Sequence, residues 1–263
     1  MSNTDNTLDN KIADLITQIK KQPSDNNLRL ALIQYYCLTA NWTKALSTTK
    51  NYLNINSKDE NSKVLLEANI KSEMLRDQVF SGEVAPMMYP DCDEDMFNRQ
   101  KSLLKNYIQS VDARSTTELF LETYDRVELT HTINSAENQS VSGSWVDSDV
   151  RTAYVLEVFL QEHYYWIPFN NIIKITFKDN EYLTDILWRR GEIHLTGDRV
   201  LPAFLPARYA VTDNDISDEL KLCQKTHWQD YGDLHTASGQ KTLTNGEDDV
   251  SILDIIQIEQ DKA

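Results

Sequence analysis

Glycine and proline are scarce in this 263-residue sequence, at 7 and 6 residues. That scarcity excludes low-complexity and collagen-like chains and favours long regular helices or strands. Cysteine is scarcer still. Cys37, Cys92 and Cys223 are odd in number, far apart and without a C-x-x-C pair, so a disulfide scaffold and a zinc knuckle are both excluded and a reducing compartment is expected. Cys37 falls inside an apolar helical run and reads as a small core residue. No run approaches the roughly 18 apolar residues that a membrane span requires. The first residues, Met-Ser-Asn-Thr-Asp-Asn-Thr, carry neither the basic nor the apolar region of a signal peptide. The chain is therefore expected to be soluble and cytoplasmic, with no membrane partner.

Clustered lysine and arginine are also missing. The net charge is −15, from 41 acidic and 26 basic residues. Through residue 140 there are 15 basic and 20 acidic residues, net −5; after it there are 11 and 21, net −10, so acidity concentrates in the C-terminal half. Nucleic acid, which is bound through its phosphates, is excluded as a partner. A basic peptide or protein segment is accommodated more easily. What the chain does have is a hydrophobic fraction of 40% with 9% aromatics, enough for one large or two medium domains.

The first half reads as helices in pairs. Leu8, Ile12, Leu15, Ile16 and Ile19 form one apolar face, and Pro23 ends that helix. Asp25 or Asn26 can cap a second helix bearing Leu28, Leu32, Tyr35, Tyr36 and Leu38, and Asn41 a third bearing Trp42, Ala45, Leu46 and Leu53. A fourth runs over 62–80, with Val64, Leu65, Ala68, Leu75, Val79 and Phe80 expected on its buried side. Short connections make neighbours antiparallel. Pro23, Leu28-x-x-x-Leu32 and Ala40-Asn-Trp42-Thr-Lys-Ala45-Leu46 partly match a tetratricopeptide-like hairpin, and such modules offer grooves to helices or extended peptides. After a loop with Pro86, Pro90 and Asp91-Cys-Asp93-Glu94-Asp95, whose carboxylates suit a helix start better than an EF-hand, two more helices are expected over 94–112 and 114–137. Leu119, Phe120, Tyr124, Val127 and Leu129 mark the second.

From about residue 140 the chain turns to β-branched and aromatic runs. Strands are expected at 153–159, 163–167, 171–177, 183–188, 192–196, 199–204, 239–244 and 250–258, with turns at Gln161-Glu162, Thr196-Gly197-Asp198 and Asn245-Gly246-Glu247. Only 213–222 looks helical. The expected fold is α+β: an N-terminal antiparallel helical-hairpin (TPR-like) domain, 1–138, followed by a mostly antiparallel, bent or barrel-like β-rich domain, 139–263.

Chemical motifs are few. Gly239-Gln-Lys241-Thr242 lacks the spacing of a phosphate loop, and a hairpin is the better reading. The five histidines show no metal-ligand spacing, and no nucleophile elbow exists. The stretch Trp145-Val-Asp147-Ser-Asp149-Val-Arg151 stands out, because in an extended strand Asp147, Asp149 and Arg151 share one face. With Glu157 these carboxylates read as a buried Arg–carboxylate network covered by Trp145. The rival reading is a divalent-ion-binding protein or hydrolase using Asp147, Asp149 and Glu157, with His163 or Arg208 nearby. No cofactor and no metal is expected under the first reading.

Taken in order, a set of short pieces resembles the ImpE family, also described as SciE-type or TagJ proteins. They are Pro23-x-Asp25-x-x-Leu28-Arg29, Asn41-Trp42-x-x-Ala45-Leu46, Arg76-x-x-Val79-Phe80-x-Gly82, Trp145-x-Asp147, Asp149-x-Arg151, Leu156-Glu157, Tyr165-Trp166-x-Pro168-Phe169, Leu183-x-Asp185-x-x-Trp188, Pro206-Ala-Arg208-Tyr209, Thr226-x-Trp228, Gly239-Gln240-Lys241 and Leu253-Asp254. Two departures stand out: Ala40-Asn41-Trp42 replaces a family Gly-Asp-Trp, and Arg151-Thr152-Ala153-Tyr154 replaces an Arg-Leu-Gly-Pro run, which should straighten the entry to the following strand. The resemblance implies a non-enzymatic accessory protein of the bacterial type VI secretion system. Its implied partner is the N-terminal helix of the small contractile-sheath subunit, in the cytoplasm and in reach of the system's AAA+ sheath-recycling ATPase. Arg29, Tyr36, Trp42, Arg76, Trp145 and Trp166 are the candidate contacts.

Overall fold

The computed structural model describes residues 7–55, 60–127, 130–137, 139–212 and 216–261. Its helices are α1 (Leu8–Lys21), α2 (Asn26–Leu38), α3 (Trp42–Ile55), α4 (Glu60–Phe80), α5 (Glu94–Ile108), α6 (Ala113–Tyr124) and α7 (Asp218–Lys221). Local side chains start five of them, Asn41 capping α3 by accepting the N–H of Lys44 at 3.3 Å. Thr7, Asp25, Asp93 and Asp112 each accept a backbone N–H of the first turn, as N-cap residues do. α1 to α4 pack in succession, so the expected pair of hairpins is present. Among the described residues no helix is long and apolar enough to cross a membrane.

The strands are β1 (Met87–Met88), β2 (His131–Ser135), β3 (Ser140–Gly143), β4 (Val146–Asp147), β5 (Val155–Leu160), β6 (His163–Pro168), β7 (Ile172–Phe177), β8 (Trp188–Leu195), β9 (Arg199–Pro206), β10 (Thr226–Tyr231), β11 (Leu234–Gly239), β12 (Thr242–Thr244), β13 (Asp249–Ser251) and β14 (Ile255–Gln260). Nine of them form one sheet in the order β1-β6-β5-β9-β8-β7-β14-β2-β3, beside a three-stranded sheet β13-β12-β4 and a β10-β11 hairpin. Every pairing is antiparallel except β1 with β6. Register shifts at Ile255/Gln257 and Ile172/Lys174 bend the large sheet. Gln161 and Glu162, both at positive φ, close the β5-β6 turn, and Gly197 and Asp198 the β8-β9 turn. The fold is α+β, as expected.

Side-chain alternation divides β5 between two cores. Val155 and Phe159 join Tyr164 and Trp166 of β6 against the helices, while Leu156 and Val158 join the core of the bent sheet. Glu157 shares the face of Val155 and Phe159, so β5 aims a carboxylate at the helical layer, where α4 lies across β5 and β6.

Several expectations fail for tertiary reasons. The helix expected over 114–137 stops at Tyr124, and residues 131–135 are instead β2, held between β14 and β3. β1 and β2 thus enter the large sheet from before residue 139. The segment expected as a strand over 183–188 opens with a 3-10 turn, Leu183–Ile186, because Asp185 Oδ2 accepts the N–H groups of Glu181 and Tyr182 at 2.7 and 3.1 Å. The helix expected over 213–222 is α7 alone in its described part. On α4 Ala68, Val79 and Phe80 are buried as expected, together with the unexpected Asn69, Ile70, Ser72, Glu73 and Arg76, while Leu75 is half-buried and Val64 and Leu65 are exposed. Leu129 and the side chain of Leu53 lie outside the described residues.

Candidate functional site

The segment after β4 is not extended. The Asp147 carboxylate accepts the N–H of Asp149 at 3.0 Å, and Asp149 accepts that of Arg151 at 2.8 Å. Aspartate side chains bond their own backbone two residues on, so Asp-x-Asp-x-Arg winds into two successive turns instead of one strand face. The chain then turns through Val150–Tyr154, so the strand entry is not straightened. Thr152, at a position of the family's Leu-Gly-Pro, donates to Asp147 Oδ2 at 3.0 Å.

These turns place the carboxylates in a buried network that crosses from sheet to helix. Arg76 of α4 clamps Glu157 of β5 with two bonds, Nε to Oε1 at 2.7 Å and Nη2 to Oε2 at 2.8 Å. Its remaining donors reach Glu73 Oε2 at 3.3 Å and the carbonyl of Arg208 at 2.9 Å. Tyr164 donates to Glu157 at 2.5 Å, and Lys241 Nζ lies 2.8 Å from Glu157 Oε2 while also pairing with Asp147. Tyr209 donates to Asp147 at 2.8 Å. Asp149 and Arg151 form a two-pronged pair, and Arg151 lies against the rings of Phe80 and Tyr107. Trp188 donates to Glu73 at 2.8 Å.

Four carboxylates, Glu73, Asp147, Asp149 and Glu157, thus lie buried with four cations, Arg76, Arg151, Arg208 and Lys241. Burial alone raises a carboxyl, yet the adjacent Arg76 and Lys241 hold Glu157 well below the usual range. Burial lowers Lys241, but Asp147 and Glu157 outweigh it and push its ammonium up. At Asp147 burial prevails over Lys241 and the carboxyl rises.

Arg208 is the exception among the cations. Its guanidinium donates to carbonyls only: Leu38 at 2.6 Å and Cys37 at 3.3 Å at the end of α2, and Lys221 at 2.9 Å at the end of α7. Burial lowers its pKa. It satisfies the orphan carbonyls at the end of α2, where the helix dipole favours a cation.

Each charge of Asp147, Asp149 and Glu157 is therefore met by a cation of the chain itself, and their lone pairs are taken by Tyr209, Thr152, Tyr164 and backbone N–H groups. Among the described residues no three His, Cys, Asp or Glu side chains converge where a metal ion could be held. His163 is exposed and bonds the carbonyl of Gln161, and Arg208 spends its donors on helix ends, so neither joins the carboxylates. Trp145 donates to the carbonyl of His131 and packs in the sheet core instead of covering the charges.

Of the six residues singled out as contacts, Tyr36, Trp42, Arg76, Trp145 and Trp166 are buried, and only Arg29 is half-exposed, bonded to the carbonyl of Asp25. The Trp42 indole N–H lies beside the Asp77 carboxyl without a partner at bonding distance. Burial, and after it Glu73, push Asp77 up to about 7.

Sequence reasoning missed Glu73 and Lys241. Counting back from Phe80 and Val79 in helical steps lands on Arg76, Glu73, Ser72 and Asn69, a polar core stripe that periodicity alone could have found. Lys241 carried no such signal, since it reaches the carboxylates from a connection between β11 and β12.

A groove of mixed lining opens at the surface between helices and sheet. It measures about 210 Å³; Leu30, Leu65, Leu66, Tyr182, Trp188 and Phe204 supply its apolar wall, and Gln34, Asn69, Asp185 and Arg190 its polar part. Val64, Leu65, Tyr182 and Leu183 are exposed beside it.

The family model described as ImpE protein matches residues 140–259. The type VI secretion system accessory component TagJ of Pseudomonas aeruginosa is 24% identical over 253 residues, 96% of this chain and 87% of that protein. The crystal structure of protein VPA1032 from Vibrio parahaemolyticus superposes with a TM-score of 0.83 at 21% identity, covering 97% of this chain and 94% of that one. At that identity the structural likeness speaks for the fold.

Proposed function

We propose that this chain, whose residues 140–259 match the ImpE model and which resembles TagJ over most of its length, is a member of the ImpE family and a non-enzymatic accessory protein of a bacterial type VI secretion system, acting in the cytoplasm. Its partner in this reading is the N-terminal helix of the small contractile-sheath subunit, presented in reach of the AAA+ ATPase that recycles the sheath. The groove of Leu30, Leu65, Tyr182 and Phe204 carries the reading. α4 leaves Leu65 uncovered at its rim, and an amphipathic helix lays its apolar face into a cleft of this kind. The charge network supports the non-enzymatic part, since carboxylates neutralised by their own cations and hydrogen-bonded throughout are not poised for proton transfer.

The test is calorimetric titration of the purified chain with a peptide from the sheath subunit's N-terminus. Binding is expected, and Leu65→Glu should weaken it by about tenfold or more, as an unpaired charge in an apolar contact does. Absence of binding, or binding indifferent to Leu65→Glu, overturns the groove assignment.

A further inference from the structure

The hairpin of β10 and β11 stands apart from both larger sheets, and only its β11 side is occupied. The N–H of Ala237 donates to Asp149 Oδ2 at 2.9 Å, and its carbonyl accepts from Arg151 Nη2 at 2.8 Å. The carbonyl of His235 accepts from Val150 N–H at 3.0 Å. In an antiparallel ladder, residues alternate between those bonded to the partner strand and those whose N–H and C=O point away from it. Ala237 and His235 belong to the second set, and so do the residues opposite them, Trp228 and Asp230, with Thr226 two places on. Their backbone groups line the free edge of β10.

Among the described residues nothing pairs with that edge. His227 to Asp230 are all exposed. β10 carries neither the lysine, the proline nor the bulge that ordinarily guards an edge strand. By contrast, β1 at one end of the nine-stranded sheet is two residues long, and at the other end the side chain of Asn245 lies close against Gly143 of β3.

Beside the hairpin lies a cavity of about 520 Å³, to which β10 contributes Trp228 and β11 with its turn contributes Asp233, Leu234 and His235. Trp228, 42% exposed, forms its rim, with the indole N–H donating to Ser148 Oγ at 3.2 Å. Phe120, Val146 and Leu234 supply apolar wall; of its acidic residues Asp147 is already paired with Lys241, which leaves Asp233 and Asp249 to supply charge, and His235 is the one basic side chain in its lining. An aromatic face beside two carboxylates suits a cation with an alkyl stem.

We propose that β10 is a strand-addition site for an extended segment of a partner protein, one bearing a lysine or arginine. The added strand pairs with Thr226, Trp228 and Asp230, the alkyl stem lies along Trp228, and the charge sits between Asp233 and Asp249. A second copy of this chain is the poorer occupant, because each copy carries net −15 and would set Asp230 in the same contact. The inference is independent of the helix groove, which shares no residue with it.

The test titrates the full chain with three synthetic peptides of β10's length. One has a central lysine among valine and threonine, one has glutamate in its place, and one repeats the lysine sequence with alternate backbone nitrogens methylated. The lysine peptide is expected to bind and the other two not. Trp228→Ala, or Asp233→Asn with Asp249→Asn, should weaken it about tenfold, while Leu65→Glu leaves it unchanged. Failure of the lysine peptide to bind overturns the proposal, as does equal binding of the methylated peptide or indifference to Trp228→Ala. A concentration-dependent dimer in sedimentation, abolished by Trp228→Ala, would assign the edge to a second copy instead. The methylated arm needs no variant, so the outcome does not hang on a mutant's folding.

Discussion

Arg76 shows why individual residues in the network matter more than the number of ion pairs. Its buried guanidinium meets Glu157, Glu73 and the Arg208 carbonyl, and breaking a buried pair strands an uncompensated charge. Arg76→Met is expected to lower unfolding free energy by about 3–5 kcal/mol in urea titration, and Arg76→Met with Glu157→Leu should recover part of that loss. A single variant as stable as the parent would sink the assignment. Two carboxyls here respond to pH with opposite sign. Glu157 is depressed in the folded chain, so its contribution is present above the unfolded value of about 4.3 and drains away as pH falls below it. Asp77 is raised to about 7, so the folded state holds a proton that the unfolded state, with a pKa of about 3.9, has released. Stability from Asp77 is therefore greatest at low pH and declines as pH rises through 7. Asp77→Asn should raise the melting temperature at pH 8 relative to the parent and lose that advantage by pH 5.

Among the elements, the end of α2 explains a family glycine that this chain lacks. Asn41 N–H reaches the Tyr36 carbonyl at 2.8 Å and Ala40 N–H that of Cys37 at 3.0 Å, the paired bonds of a Schellman stop. The motif requires a left-handed residue, and Ala40 sits there at φ 53°. Ala40→Gly is expected to stabilise by about 1 kcal/mol, relief of Cβ strain exceeding the added freedom of the unfolded chain; a melting temperature at or below the parent's would contradict this. At the end of β11 the preference is stricter. Gly239 has φ +87°, and a Cβ there would stand 2.3 Å from the Lys225 carbonyl oxygen. Gly239→Ala should therefore destabilise by about 1–3 kcal/mol, and because Lys241 follows two residues later it should disturb the Asp147 and Glu157 contacts as well. Chemical denaturation gives the first, and loss of the acid-dependent part of the stability curve gives the second.

On the scale of the whole molecule, the two halves are joined by their charges. Glu157 and Lys241 lie in the sheet region, Arg76 and Glu73 in α4, and Arg208 reaches back to cap α2. The proposed division into 1–138 and 139–263 is tested by expressing the second part alone. It would lack β2, which bridges β14 and β3, and it would leave Glu157 without Arg76. The expected outcome is an insoluble or molten fragment that co-expression with 1–138 rescues; a cooperative melt of the fragment alone would show the two parts to be independent. The sequence by itself determined whatever is written in neighbouring residues. The helix starts at Asp25 and Asp93, the turn at Gln161-Glu162 and the pairing of Arg151 with a neighbouring aspartate were all legible there, because caps, turns and short-range ion pairs act over a few positions. Tertiary structure alone decided that Arg76 and Lys241 are the counter-ions of Glu157, that residues 131–135 are a strand, and that β10 is left with an open edge. Those outcomes depend on partners brought from scores of positions away, and local pattern holds no record of where a folded chain will set them.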